Sequence, residues 1–224
     1  MIAENLARVR AAIVQEARRW GRLPEDITLI AVSKTRKVPD IVAALEAGQR
    51  HFGENRVQEA QAKFPSLRQD WPDLTLHLIG PLQTNKVKEA VAIADVIHTI
   101  DRPKLADSLA AEMKRQDRRP RLLVQVNIGE EPQKSGVPIA ETAALLNHCR
   151  RIGLSIAGLM AIPPADKHPG AYFALLAKMA DGYGLRELSM GMSGDYADAI
   201  ALGATFVRVG SAIFGPRISS EQTA

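Results

Sequence analysis

The feature that most constrains this chain is a repeated change of period: short apolar runs alternate with longer stretches whose apolar residues recur at helical spacing. Such alternation is the signature of parallel strands joined by crossover helices. Eight segments read as strands, at 28–33, 50–52, 74–79, 96–99, 122–126, 155–160, 187–189 and 205–209. Between them, helical periodicity runs through 39–47, 86–94, 105–115, 139–152, 172–183 and 196–202. Gly48, Gly153 and Gly203 follow three of these stretches, where a left-handed helix end favours glycine. Eight strand-helix units predict a closed (β/α)8 barrel, with an open doubly wound sheet as the alternative built from the same unit. With 224 residues and 46% hydrophobic content, the chain suits one domain spanning 1–224.

Ahead of the first strand, Ile2, Leu6, Val9, Ile13 and Trp20 fall near one helical face, which predicts a packed N-terminal helix. Glu4 and Glu16 argue against a transit peptide there. The formal charge of +4 comes from 29 basic and 25 acidic residues spread along the chain, and only 4% of residues are aromatic. That pattern excludes the basic stripe and stacking platforms of a nucleic-acid binder. No apolar run is long enough to span a bilayer. The lone Cys149 cannot form an internal disulfide, so a cytoplasmic setting is expected.

In a (β/α) barrel the working face lies where strands end, so the residue closing each strand matters most. Lys34 closes the first. Period two places it with Val32 and Ile30, toward the barrel interior. Such a lysine is either a rim residue with its ammonium in water or an amine whose burial suits Schiff-base chemistry. On the last strand Phe206, Arg208 and Gly210 share the inward parity, while Val207 and Val209 face the helices. A buried guanidinium at this place can donate to a ring nitrogen and disfavour its protonation, or pair with a carboxylate at the barrel end. Gly191 to Gly194, with Ser193, forms a loop after the seventh strand, and Gly210-Ser211-Ala212 follows the eighth. Both combine close backbone approach with a hydroxyl donor, as phosphate-binding loops of barrels do.

Asn55, in the turn after Phe52-Gly53-Glu54, either reaches a ligand or caps the following helix. His77 reads as a satisfied interior histidine. The remaining histidines, His51, His98, His148 and His168, lack metal-ligand spacing, so no metal is expected. Neither G-x-G-x-x-G after the first strand nor a P-loop occurs. Gly191-Met192-Ser193-Gly194-Asp195 departs from a nucleophile elbow at its final position.

At these residues the sequence resembles the pyridoxal phosphate (PLP) homeostasis protein family, single-domain relatives of the alanine racemase barrel of PLP fold type III. The resemblance rests on seven ordered segments, at 31–35, 52–55, 77–86, 134–136, 158–162, 188–193 and 207–215. It implies PLP held as a Schiff base on Lys34, phosphate contacts from Ser193, Gly210 and Ser211, and Arg208 at the ring nitrogen; Asn55, read from its place in the turn, is expected in a supporting role. It also implies a role in intracellular PLP supply and amino-acid balance; delivery to PLP-dependent apoenzymes as partners, without efficient turnover, is the reading preferred beside it. Leu76 and Leu78 depart from the aromatic residues frequent beside His77, and Gly194 replaces a commonly acidic residue. The alternative is a PLP-dependent racemase, which needs acid/base groups on both faces of the substrate carbon. Tyr172, Tyr183 and Tyr196 are the only tyrosines, and none sits in a motif for that role. A Schiff-base aldolase without PLP would leave the two phosphate loops unexplained.

Overall fold

The computed structural model describes residues 1–216. Nine parallel strands run β1 (Thr28–Val32), β2 (His51–Glu54), β3 (Thr75–Leu78), β4 (Val96–Ile100), β5 (Arg121–Asn127), β6 (Val137–Pro138), β7 (Ile156–Met160), β8 (Glu187–Met192) and β9 (Phe206–Val209). The sheet order is β4-β3-β2-β1-β9-β8-β7-β5, and β4 also pairs with β5, which closes eight strands into a barrel. Closure excludes the open doubly wound sheet. The two-residue β6, unexpected from the sequence, pairs with the end of β5 outside the ring.

Helices α1 (Ile2–Arg19), α2 (Val38–Glu46), α3 (Val57–Asp70), α4 (Val87–Ile93), α5 (Pro103–Gln116), α6 (Thr142–Arg151), α7 (Gly170–Gly182), α8 (Tyr196–Ala201) and α9 (Ser211–Phe214) surround it. Among the described residues the last unit supplies only the short α9, and α1 packs against α9, α8 and α2, filling the gap in the outer ring. Its buried stripe is Leu6, Val9, Ile13 and Ala17. Trp20 is a correction to the expected face: it is the C-cap residue and 52% exposed. The i, i+3, i+4 stripe passes through Ala17, and the chain turns away before Trp20 can return to it. No described helix is long and apolar enough to cross a membrane.

Strand parity divides the core in two. Outward residues such as Leu29, Ala31, Leu76, Leu78, Val207 and Val209 pack with the helices in one large apolar cluster. Ile30, Val96, Leu123 and Phe206 form a separate cluster inside the barrel. Leu76 and Leu78 therefore face the helices on either side of the inward His77, and aliphatic side chains suffice there. The seventh barrel strand, β8, extends through Met192, so the loop expected to begin at Gly191 begins at Ser193. The reason is an irregular register with β9 between Ser189 and Met192. Gly191, at φ +90°, keeps the strand running past α8, where a Cβ would stand 2.5 Å from that of Ala199.

Candidate functional site

At the C-terminal mouth of the barrel lies a cavity of about 360 Å³ whose lining includes Lys34, Asn55, Ser193, Arg208, Gly210 and Ser211. All six residues singled out in the sequence thus meet at one place. Val32, Ile79 and Ile162 supply apolar walls. A cavity of this size, mostly apolar with a few convergent polar groups, suits a small organic ligand.

Lys34 is half-buried and begins the turn after β1. The turn is unusual, because Thr35 has φ 63°, a left-handed conformation that a β-branched residue adopts only under external constraint. The constraint comes from beneath. Lys63, on α3, donates to the Ser33 carbonyl at 3.0 Å, to Glu54 at 3.1 Å and to Glu59 at 2.6 Å. Ser33 Oγ donates to Glu54 Oε1 at 2.7 Å, and Thr35 N–H donates to Glu59 Oε1 at 2.5 Å. Burial raises the Glu54 carboxyl above its usual range, opposed by the Lys63 charge and the Ser33 hydrogen bond. From above, Arg36 reaches over to the carbonyls of Gly215 and Pro216. The backbone carrying Lys34 is therefore fixed on both sides.

Arg208 is buried and enters the barrel as its parity requires. Its guanidinium donates to Ser189 Oγ at 2.7 Å and to the Ala161 carbonyl at 2.9 Å. Burial lowers its pKa to about 10, against the opposing pull of Asp195, so it remains a cation at neutral pH. Among the described residues no carboxylate pairs with its guanidinium, the alternative open from the sequence; its hydrogen-bond partners are a hydroxyl and a carbonyl. Gly210 N–H donates to Ser193 Oγ at 3.2 Å, joining the loops after β8 and β9 into one rim. Ser211 begins α9 at this rim.

Asn55 lines the cavity and does not cap α3, whose N-cap is Arg56. Its backbone is pressed by the loop after β3: a Cβ on Gly80 would lie 2.4 Å from the Asn55 carbonyl oxygen. His77 is fully buried and hydrogen-bonded to both His51 and His98. Among the described residues no cluster of His, Cys, Asp and Glu could hold a metal ion. Sequence reasoning missed Lys63, Glu54, Ser189 and His98. Of these, only the inward parity of Ser189 and His98 was available as a signal.

Fold and site together define a class: a (β/α)8 barrel with a lysine closing the first strand, a buried arginine on the last, and hydroxyl-bearing loops at the same mouth. Comparison with known proteins makes the class specific. The family model described as "Alanine racemase, N-terminal domain" matches residues 3–218. The "Pyridoxal phosphate homeostasis protein" of Escherichia coli strain K12 is 42% identical over 237 residues, covering 99% of both chains. The structure of PipY from Synechococcus elongatus PCC7942 with PLP bound superposes with a TM-score of 0.84 at 41% identity, covering 96% of this chain and all of that one. An alanine racemase of Clostridium difficile 630, 15% identical, shares the fold with a TM-score of 0.69, and this chain matches 58% of its length. The chain belongs to the pyridoxal phosphate homeostasis protein family.

Proposed function

We propose that this chain, as a single barrel unit, binds PLP in the C-terminal cavity, attached covalently to Lys34, and serves cofactor supply rather than turnover of an amino acid. The observation that carries this reading is the convergence of an amine, a buried guanidinium and two hydroxyl-glycine loops on one cavity of about 360 Å³. The donor set fits the group. PLP brings an aldehyde able to bond to an amine, a pyridine ring, and a phosphate dianion that seeks N–H and O–H donors. Ser193, Ser211 and the backbone at Gly210 supply such donors. Val32, Ile79 and Ile162 offer apolar surface to a ring. The Arg208 guanidinium has no lone pair with which to accept and can only donate, so toward a ring nitrogen it would hold that atom unprotonated and weaken the ring's capacity to absorb electrons.

The racemase alternative requires a second acid/base group beside Lys34. None of Tyr172, Tyr183 and Tyr196 lines the cavity, and among the described residues the polar groups that line it beside Lys34 are the guanidinium groups of Arg36 and Arg208, hydroxyls, an amide and backbone. The relatives' name, homeostasis protein, agrees with supply. The test has two arms. The loaded chain is assayed for racemisation and transamination across the common amino acids, then mixed with a PLP-dependent apoenzyme. Negligible turnover with restoration of apoenzyme activity is expected. Robust turnover of an ordinary amino acid would overturn the supply role.

A further inference from the structure

Below the cavity, the barrel interior is not filled by aliphatic side chains alone. Ser189 Oγ, which accepts from Arg208, lies 2.9 Å from His98 Nδ1. His98 Nε2 lies 2.9 Å from His77 Nδ1, and His77 Nε2 lies 3.0 Å from His51 Nδ1. Phe206 packs edge-on against the rings of His77 and His98, at centroid distances of 5.6 and 5.5 Å. Arg208, Ser189, His98 and His77 are buried, whereas His51 is half-buried and opens on a cavity of about 680 Å³ at the N-terminal mouth. A continuous hydrogen-bonded path therefore joins the two mouths.

Donor and acceptor counting fixes its direction. The guanidinium can only donate, so Ser189 accepts from it. If the Ser189 hydroxyl donates onward to His98 Nδ1, neutral His98 carries its proton on Nε2 and donates to His77 Nδ1. His77 then carries its proton on Nε2 and donates to His51 Nδ1, and His51 in turn presents Nε2–H to the lower cavity. Every member is satisfied. In the opposite direction Ser189 would accept from both Arg208 and His98, and its hydroxyl proton would lose its acceptor in a buried site. Burial holds His77 and His98 far below the usual imidazole range, His98 at about 3, so both are neutral links.

We infer that Ser189, His98, His77 and His51 are positioning residues that hold Arg208 through a one-way hydrogen-bond chain, with His51 as the end that senses the N-terminal mouth. The link to cofactor rests on the PLP reading above; the chain itself does not. Proton uptake at His51 Nδ1 would force the whole chain to reverse and strand the Ser189 hydroxyl, so the Arg208 end and the lower mouth are coupled. Around that mouth, Arg22, Asp26, Arg121, Arg186 and Glu187 line the cavity with His51, and Asp95 acts on His51 through its charge. Burial lowers the His51 pKa, with Asp95 opposing.

Long-range proton–nitrogen NMR on the full chain without cofactor reads the tautomers directly. The Nε2–H form is expected for His51, His77 and His98 at neutral pH. In Ser189→Ala, the preferred direction loses its hydroxyl donor, and the His51 titration midpoint should rise by about one pH unit, with Ser189→Thr restoring it. A merely structural serine two imidazoles away would leave that midpoint unmoved. The Nδ1–H form at His77 or His98, or an unmoved midpoint, overturns the chain. With PLP added, Ser189→Ala should shift the visible absorption maximum and weaken retention about tenfold, again restored by threonine. An unchanged spectrum and affinity in this variant overturn the positioning role. Failure of the unsubstituted chain to bind PLP, with the tautomers as stated, would sink the function proposed above while the chain survives.

Discussion

The two mouths of the barrel both carry ion pairs, and they use them differently. At the N-terminal mouth Arg121 and Glu187 meet at 2.8 Å with the arginine side chain 59% exposed. At the C-terminal mouth Lys63 and Glu54 meet at 3.1 Å with side chains 10% and 0% exposed. The first pair lies at strand starts with the Arg121 side chain in water and the Glu187 side chain 15% exposed. The second lies behind the Lys34 turn, where its hydrogen bonds to Ser33 and Glu59 hold a backbone that Thr35 would otherwise relax. A charged cluster marks the functional end of this barrel because it is buried to support a backbone conformation, not because it is charged.

The contrast can be broken at the buried pair first. Lys63→Met should destabilise the chain by about 3 kcal/mol in denaturant unfolding, since it leaves Glu54 in the interior without its cation. The double variant Lys63→Met with Glu54→Gln should recover part of that loss. If the single variant loses less than about 1 kcal/mol, the pair is not a support for the turn. Next in size, Ser193→Ala should weaken PLP retention about ten- to a hundredfold in equilibrium binding, the effect of one hydrogen bond to a charged acceptor worth about 1.5–3 kcal/mol.

The interior between the mouths supplies a pH dependence. His77 and His98 have folded-state pKa values below the unfolded value of roughly 6.5, so the unfolded chain binds more protons once the pH drops below that point. Their contribution is complete above pH ~6.5 and is lost as the pH falls, by up to about 1.4 kcal/mol per pH unit for each histidine. Thermal unfolding from neutral to mildly acidic pH should show this slope, to which the burial-lowered His51 adds, and His98→Gln should reduce it by about a third to a half. An identical slope in that variant would place the pH dependence elsewhere. The smallest effect is expected at the lower mouth, where Arg121→Ala should change stability by less than about 1 kcal/mol.

Much of the upper mouth was legible because its logic is local. Parity along 30–34 and 206–210 aims Lys34 and Arg208 inward without knowledge of any neighbour, and a barrel brings strand ends together whatever the lengths between them. Gly191 was harder, because the bulge that extends β8 depends on the register with β9. Trp20 was misplaced because apolar spacing does not reveal where a helix stops. Lys63 gave no signal: a lysine on an amphipathic helix reads as solvated until the end of β2 is seen to lie beneath it. The histidines were read singly for metal spacing, whereas their meaning arises from three adjacent strands and a serine 91 residues beyond His98.

Lys34 is the residue proposed to carry the cofactor. Incubating the purified chain with PLP, reducing with borohydride and mapping peptides by mass tests it most directly. One stable PLP adduct, on Lys34, accompanied by loss of the visible absorption band, is expected, with no adduct in Lys34→Ala. An adduct on Lys37 or Lys86 instead, or an undiminished adduct in the Lys34→Ala chain, would contradict it.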